Sequence, residues 1–211
     1  FKNIKFIDIK YTHLFLAKVK NKKVLIDSSS CSIYFQDILK KNNKIVDFLD
    51  PIYFLKSVKS KIEIKNIIKC HTYDGAALTK FLFWLKKNYK KQNINEISAQ
   101  EKLLKFRKEN KNFKFLSFPT ISSSGPNGAI IHYKATKKSS KDLRANEVVL
   151  IDSGGQYKYG TTDITRTLVI GNQPKNFELP YTSVLKGLIA ISQICWPEGL
   201  SGRELDSVAR L

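Results

Sequence analysis

The stretch VVLIDSGGQYKYGTTDITRTLVIG, residues 148–171, constrains this chain more than any other. Two runs of branched aliphatic residues flank a glycine-rich break, the pattern of two antiparallel strands joined by a tight connection. Asp152 closes the first run and Asp163 opens the second. Their numbers differ by an odd amount, and across an even-numbered symmetric loop an odd difference allows two residues to sit directly opposite. A register centred between Tyr157 and Lys158 would set the two carboxylates face to face, with Cβ atoms about 4.5–5.5 Å apart. Like charges so placed destabilise the pair unless a cation compensates, and carboxylate oxygens suit Mn²⁺, Mg²⁺, Ca²⁺ or Zn²⁺. The alternative is a one-residue bulge, which would send the aspartates to opposite faces as ordinary turn residues.

Around this hairpin the pattern predicts an α+β domain. Ser60 with Glu63, and Ser98 with Glu101, have the spacing of capping boxes. They open an expected helix over roughly 61–90, with Gly75 as its weak point, and a second over SAQEKLLKFRKEN. The first carries apolar stripes of Ile64, Ile67, Ile68 and His71, then Leu78, Phe81, Leu82 and Leu85. Phe177 to Trp196 forms a third helix, and Ser201 with Glu204 caps a last one that has run barely two turns at Leu211. Phe113 to Phe118, Gly128 to Tyr133, Glu147 to Ser153 and Thr162 to Gly171 read as strands. Helices packed on one face of a curved antiparallel sheet follow. The first fifty residues alternate short apolar runs (KFIDI, LFLAKV, KKVLIDS, IYFQDILKK, KIVDFLD) with polar breaks, a small α/β unit that Asp50-Pro51 ends.

The chain carries 37 Lys and Arg against 18 Asp and Glu, a net charge of +19. The lysines are spread over almost every segment instead of forming one stripe with interleaved aromatics, so solvated surface is the reading favoured over a nucleic-acid groove. No apolar run approaches the roughly 20 residues of a membrane span, and Phe1 opens no secretion signal. Cys31, Cys70 and Cys195 are too scattered for a disulfide framework or a metal clamp, which fits a reducing cytoplasm. With no methionine in its 211 residues, the chain is expected to be part of something longer.

SFPTISSSGPNGAIIHY, followed by DSGGQYKYGTTDITRT, resembles the Xaa-Pro aminopeptidases, dinuclear metallopeptidases of the pita-bread fold. The likeness continues upstream through DPIYFLKSVKSKIEIKNIIKCHTYDGAALTKFLFWL and downstream through YTSVLKGLIAI and PEGLSGRELDSVAR, covering roughly residues 25–211. It implies that residues 54–211 are the N-terminal half of a pita-bread catalytic domain, and that 1–53 are the C-terminal part of a creatinase-N-like, non-catalytic domain.

Residue by residue, the resemblance makes Asp152 a ligand of one metal and Asp163 the bridge between two. His132 becomes a residue beside the bound peptide that helps to stabilise the developing tetrahedral species. His13 and His71 match nothing and are read as structural. The implied cofactors are two divalent ions, manganese foremost, with zinc and cobalt open. The implied reaction removes an N-terminal residue that precedes proline. One histidine and two glutamates that complete the family's site have no counterpart, since Glu178, Glu198 and Glu204 match no ligand motif. Little or no activity is therefore expected from this chain alone, and a C-terminal complement chain is a candidate partner, as is a second copy. Tyr159 departs from the acidic residue usual at its position. A metal-free pita-bread binding module and a prolidase-like peptidase remain alternatives.

Overall fold

Residues 4–210 are described by the computed structural model; Phe1 and Leu211, on which two of the expectations above fall, lie outside them. Two units divide between Ser60 and Lys61. The first holds α1 (Thr12–Ala17), β1 (Lys23–Ile26), α2 (Ile33–Lys40), β2 (Lys44–Asp47) and α3 (Pro51–Ser57). β1 and β2 are parallel, and α2 makes the crossover that a parallel pair requires. Asp50-Pro51, expected to end the small α/β unit, starts α3. The Asp50 carboxylate accepts from the Ile52 N–H at 2.9 Å, and Pro51 occupies the first helical position, where no N–H is needed.

The second unit contains α4 (Lys61–Asn88), α5 (Glu96–Lys108), β3 (Phe113–Leu116), β4 (Ile121–Ser124), β5 (Glu147–Ser153), β6 (Gly155–Tyr157), β7 (Gly160–Thr161), β8 (Ile164–Ile170), α6 (Glu178–Gln193) and α7 (Gly202–Arg210). Two antiparallel sheets run in the orders β4-β5-β8 and β3-β6-β7. Alternation along β5 puts Val149, Ile151 and Ser153 on a buried face. Val149 and Ile151 pack there with Leu78, Phe81 and Leu85 of α4 and with Ala99 and Leu103 of α5. Each large aliphatic or aromatic side chain so buried contributes about 1.5–3 kcal/mol. The opposite face of β5, with Leu150 and Asp152, is half-buried.

Three expectations need correction. The stripe of α4 that is buried runs Cys70, Asp74, Ala77, Leu78, Phe81 and Leu85, whereas Ile64, Ile68 and His71 are exposed. α5 begins earlier than Ser98: Asn95 is its cap, accepting from the Ser98 N–H at 2.8 Å while the Ser98 hydroxyl accepts from the Asn95 N–H at 3.0 Å. Asparagine caps as well as serine, and the sequence offers both within three residues. Gly128 to Tyr133 is no strand. Gly125–Ala129 is a 3₁₀ turn, and the chain then turns again at Ile131 and His132.

Candidate metal centre

Asp152 and Asp163 are carried by one ribbon. β5 pairs with β8 so that Asp152 lies opposite Thr165 and Ser153 opposite Ile164, and β6 with β7 so that Gln156 lies opposite Thr161 and Tyr157 opposite Gly160. The two ladders share one register, closed by the two-residue tip Lys158-Tyr159. Counting along it, Asp163 falls opposite Gly154. The turn is therefore centred one position later than expected, between Lys158 and Tyr159. The aspartates are diagonal neighbours, not directly opposed, but a two-residue shift keeps both on the same face. Diagonal positions in such a pair are about 7–8 Å apart.

At Gly154 the ribbon creases from one sheet into the other. A Cβ there would lie 1.9 Å from the Thr162 carbonyl oxygen and 2.3 Å from Ser117 Oγ, so no other residue fits without moving backbone. Ser117 clamps the crease: its hydroxyl donates to the Thr162 carbonyl at 2.9 Å and its N–H to the Gly154 carbonyl at 3.2 Å. The Gly155 N–H donates to Thr162 Oγ1 at 2.9 Å.

Beneath the ribbon sits a buried ion pair. Arg107 of α5 donates through Nε to Asp74 Oδ1 at 2.7 Å and through Nη2 to Asp74 Oδ2 at 3.0 Å, and both side chains are wholly buried. Nη2 also donates to Ser153 Oγ at 3.0 Å, and the Tyr157 hydroxyl donates to Asp74 Oδ1 at 2.6 Å. Burial pushes the Asp74 carboxyl up, but the Arg107 and Tyr157 hydrogen bonds and the guanidinium charge outweigh it and hold it below the usual carboxylate range. The same burial, with Asp74 alongside, raises the Tyr157 phenol and lifts the Cys70 thiol to about 11. At the ribbon's tip Gly160 lies against Cys70, where a Cβ would approach Cys70 Cβ to 3.2 Å.

Asp152 is half-buried and accepts from the Thr165 hydroxyl at 2.9 Å through Oδ1. Asp163 is exposed, and among the described residues no hydrogen bond or ion pair reaches its carboxylate. Among the described residues neither carboxylate thus has a cationic partner, in a chain of net charge +19. Hard oxygen donors so placed fit a divalent cation. Their number falls short of a full shell: among the described residues no three His, Cys, Asp or Glu side chains come together to hold an ion.

His132 is exposed, and the structure does not join it to the aspartates through any hydrogen bond among the described residues. Its backbone is left-handed, φ 56°, a conformation that costs a non-glycine residue energy. The loop carrying it closes on Glu96, a fully buried carboxylate at the start of α5. Glu96 accepts from the Ser124 N–H (2.8 Å), Asn127 Nδ2 (3.0 Å), the Tyr133 hydroxyl (2.8 Å) and the Lys141 N–H (3.0 Å). Burial raises the Tyr133 phenol; the Ser139 hydrogen bond opposes this and the Glu96 contact adds to it.

Sequence reasoning missed Glu96, Asp74 and Arg107. The signal was there, because each falls on the buried stripe of its helix, and a charged residue in an apolar stripe is the informative exception.

This arrangement of antiparallel sheets and long helices is shared with known proteins. The model of metallopeptidase family M24 matches residues 65–211. The chain belongs to metallopeptidase family M24. Among curated M24 relatives, a probable Xaa-Pro aminopeptidase P of Paracoccidioides brasiliensis (strain Pb03) is 46% identical over 170 residues, 80% of this chain and 28% of that protein. One from Coccidioides posadasii (strain RMSCC 757 / Silveira) is 42% identical over 191 residues, 90% of this chain and 31% of that protein. The chain thus spans less than a third of the length of these relatives. Of solved M24-like structures, an X-prolyl aminopeptidase from Caenorhabditis elegans, described as cytosolic with a dinuclear active site, superposes with TM-score 0.78 at 34% identity, over 89% of this chain and 31% of that one. A prolidase from Pyrococcus horikoshii OT3 superposes with TM-score 0.75 at 28% identity, over 98% and 57% of the two chains. The α+β, pita-bread class expected from the sequence is the fold of this M24 domain.

Proposed function

We propose that this M24 chain supplies the first part of a dinuclear Xaa-Pro aminopeptidase centre, with Asp152 and Asp163 as metal ligands and His132 on the peptide side. The observation that carries the reading is the pair of carboxylates two register positions apart on one hairpin, neither ion-paired among the described residues, in a strongly basic chain. When bound, divalent ions would supply a Lewis acid and a water of lowered pKa. The chain's own residues have simpler tasks. Thr165 occupies one oxygen of Asp152 and leaves the other without a donor among the described residues. Asp163, immediately before β8, keeps both oxygens free of hydrogen bonds among the described residues. His132, exposed on its closed loop, is the proposed donor to the peptide carbonyl oxygen as negative charge develops on it.

Peptides with proline at the second position are the proposed substrates, and manganese the proposed ion. The cytosol is the proposed compartment, supported by the description of the C. elegans enzyme; among the described residues no helix is long and apolar enough to cross a membrane. Residues 1–53 are proposed to end a preceding non-catalytic domain, supported by the family match beginning at residue 65. A C-terminal complement chain is proposed to bring the missing histidine and glutamate ligands.

Manganese titration followed by electron paramagnetic resonance tests the ligand assignment. The chain is expected to bind Mn²⁺ weakly, and Asp152→Asn and Asp163→Asn each to lower the affinity further by about tenfold or more. Binding unchanged in both variants would overturn it. Alone, the chain is expected to leave an Xaa-Pro peptide intact with or without the metal.

A further inference from the structure

We infer that Glu96 is the positioning residue for His132, holding the Ser124–Lys141 loop shut so that a left-handed histidine stands at its turn. This rests on the proposed peptide-side role of His132. A carboxylate offers about four acceptor sites and no donor. Glu96 meets one donor from each of four points along the loop: the end of β4, the 3₁₀ turn, the residue after His132 and the return to Lys141. Its own N–H donates to the Lys141 carbonyl at 3.0 Å, and the Leu143 N–H to the Ile94 carbonyl at 2.8 Å, so the loop's return strand is tied to the same corner.

Among the described residues no other side chain meets all four points. The loop's other bonds run within it (Ile130 N–H to the Asn127 carbonyl, Tyr133 N–H to the Ile130 carbonyl, Asn127 Nδ2 to the Tyr133 hydroxyl at 2.9 Å, the Tyr133 hydroxyl to the Ser139 carbonyl at 3.0 Å, and the Thr136–Ser139 turn), apart from the Ser124 hydroxyl, which donates to Glu147 Oε2 at 3.0 Å. Ile130 and Ile131 are 54% and 85% exposed, so of the turn's large apolar residues only Tyr133 is buried, and it is held there by its hydroxyl bond to Glu96. The φ of 56° at His132 is therefore sustained by the two anchors that flank it, Asn127 and Tyr133, which share one carboxylate. Glutamine in its place would present an amide donor to four donors and would strand at least one of them.

Two-dimensional NMR on the purified chain tests this, and with three histidines in the sequence the His132 Cε1–H resonance is assignable through His132→Ala. In Glu96→Gln the amides of Ile130 and Tyr133, which do not touch Glu96, are expected to exchange about tenfold faster or more, while those of Val149 and Ile151 stay within about twofold. The His132 resonance should move toward its position in an unstructured peptide. Tyr133→Phe removes one anchor and should act in the same direction by about threefold, deciding the matter alone where Glu96→Gln fails to fold. Unchanged loop amides, or loop and β5 amides accelerating together, would overturn the inference. Titrating the unsubstituted chain with an Xaa-Pro tripeptide separates the two readings. A His132 resonance that responds to the loop variants and never to peptide removes its peptide-side role while leaving Glu96's hold on it.

Discussion

Replacing Asp74 with leucine strips the guanidinium of Arg107 of both its carboxylate contacts and leaves it one partner, Ser153 Oγ at 3.0 Å. Both side chains of the pair are wholly buried, so water cannot take the place of the lost acceptor. Stranding a buried charge in this way costs about 3–5 kcal/mol. For a unit of this size, at about 2–4 °C per kcal/mol, melting should fall by about 6–20 °C. The Tyr157 hydroxyl loses its acceptor as well, so the triple variant Asp74→Leu, Arg107→Met, Tyr157→Phe, which removes the stranded groups, should recover most of the loss. Asp74 also gives stability an acid limb. Its folded pKa lies below the ordinary value, so its contribution is complete above about pH 4 and is lost as pH falls further through the folded value. Urea midpoints read by Trp84 fluorescence between pH 3 and 7 measure all of this. A triple variant no more stable than Asp74→Leu alone, or an acid limb as steep in both variants as in the unsubstituted chain, would refute the reasoning.

Gly154→Ala should displace the crease of the ribbon, because its Cβ would meet the Thr162 carbonyl at 1.9 Å. A loss at the upper end of about 1–3 kcal/mol is expected, against little change or a gain for Gly202→Ala, where the added carbon meets nothing within 4 Å. Urea unfolding of the pair decides it. Alkylation at pH 8 should modify exposed Cys195 first and Cys70 last, since Cys70 is buried and its thiol, at about 11, stays protonated. Mass mapping of early and late products checks the order.

The hairpin was legible because period-two alternation and a glycine-rich break are local properties of residues 148–171. Its register was not, because the choice between a tip at Tyr157-Lys158 and one at Lys158-Tyr159 depends on Gly160 lying against Cys70 of α4, a contact far away in sequence. The cap of α5 failed for a different reason. Asn95 and Ser98 are both capping residues, and the pairing of Asn95 with Asp142 and of Glu96 with Lys141 settles which one leads. GPNGAIIHY looked like a strand because Ile130, Ile131 and Tyr133 favour strands locally, while the Glu96 carboxylate that bends them lies some thirty residues upstream. Long-range polar contacts of that kind leave no periodicity to read.

The ribbon that bears Asp152 and Asp163 is fastened at its base and its tip as well as at the Ser117 clamp. Arg107 holds Ser153 at the base, and the tip rests on α4 at Gly160. Mechanically it is a beam supported at both ends, not a cantilever. A force applied at the tip is taken up by α4 instead of swinging the strands; Asp163 lies between the supports, and Asp152 one residue outside the base. The two acids proposed to hold metal ions thus share a ribbon whose base and tip are both held.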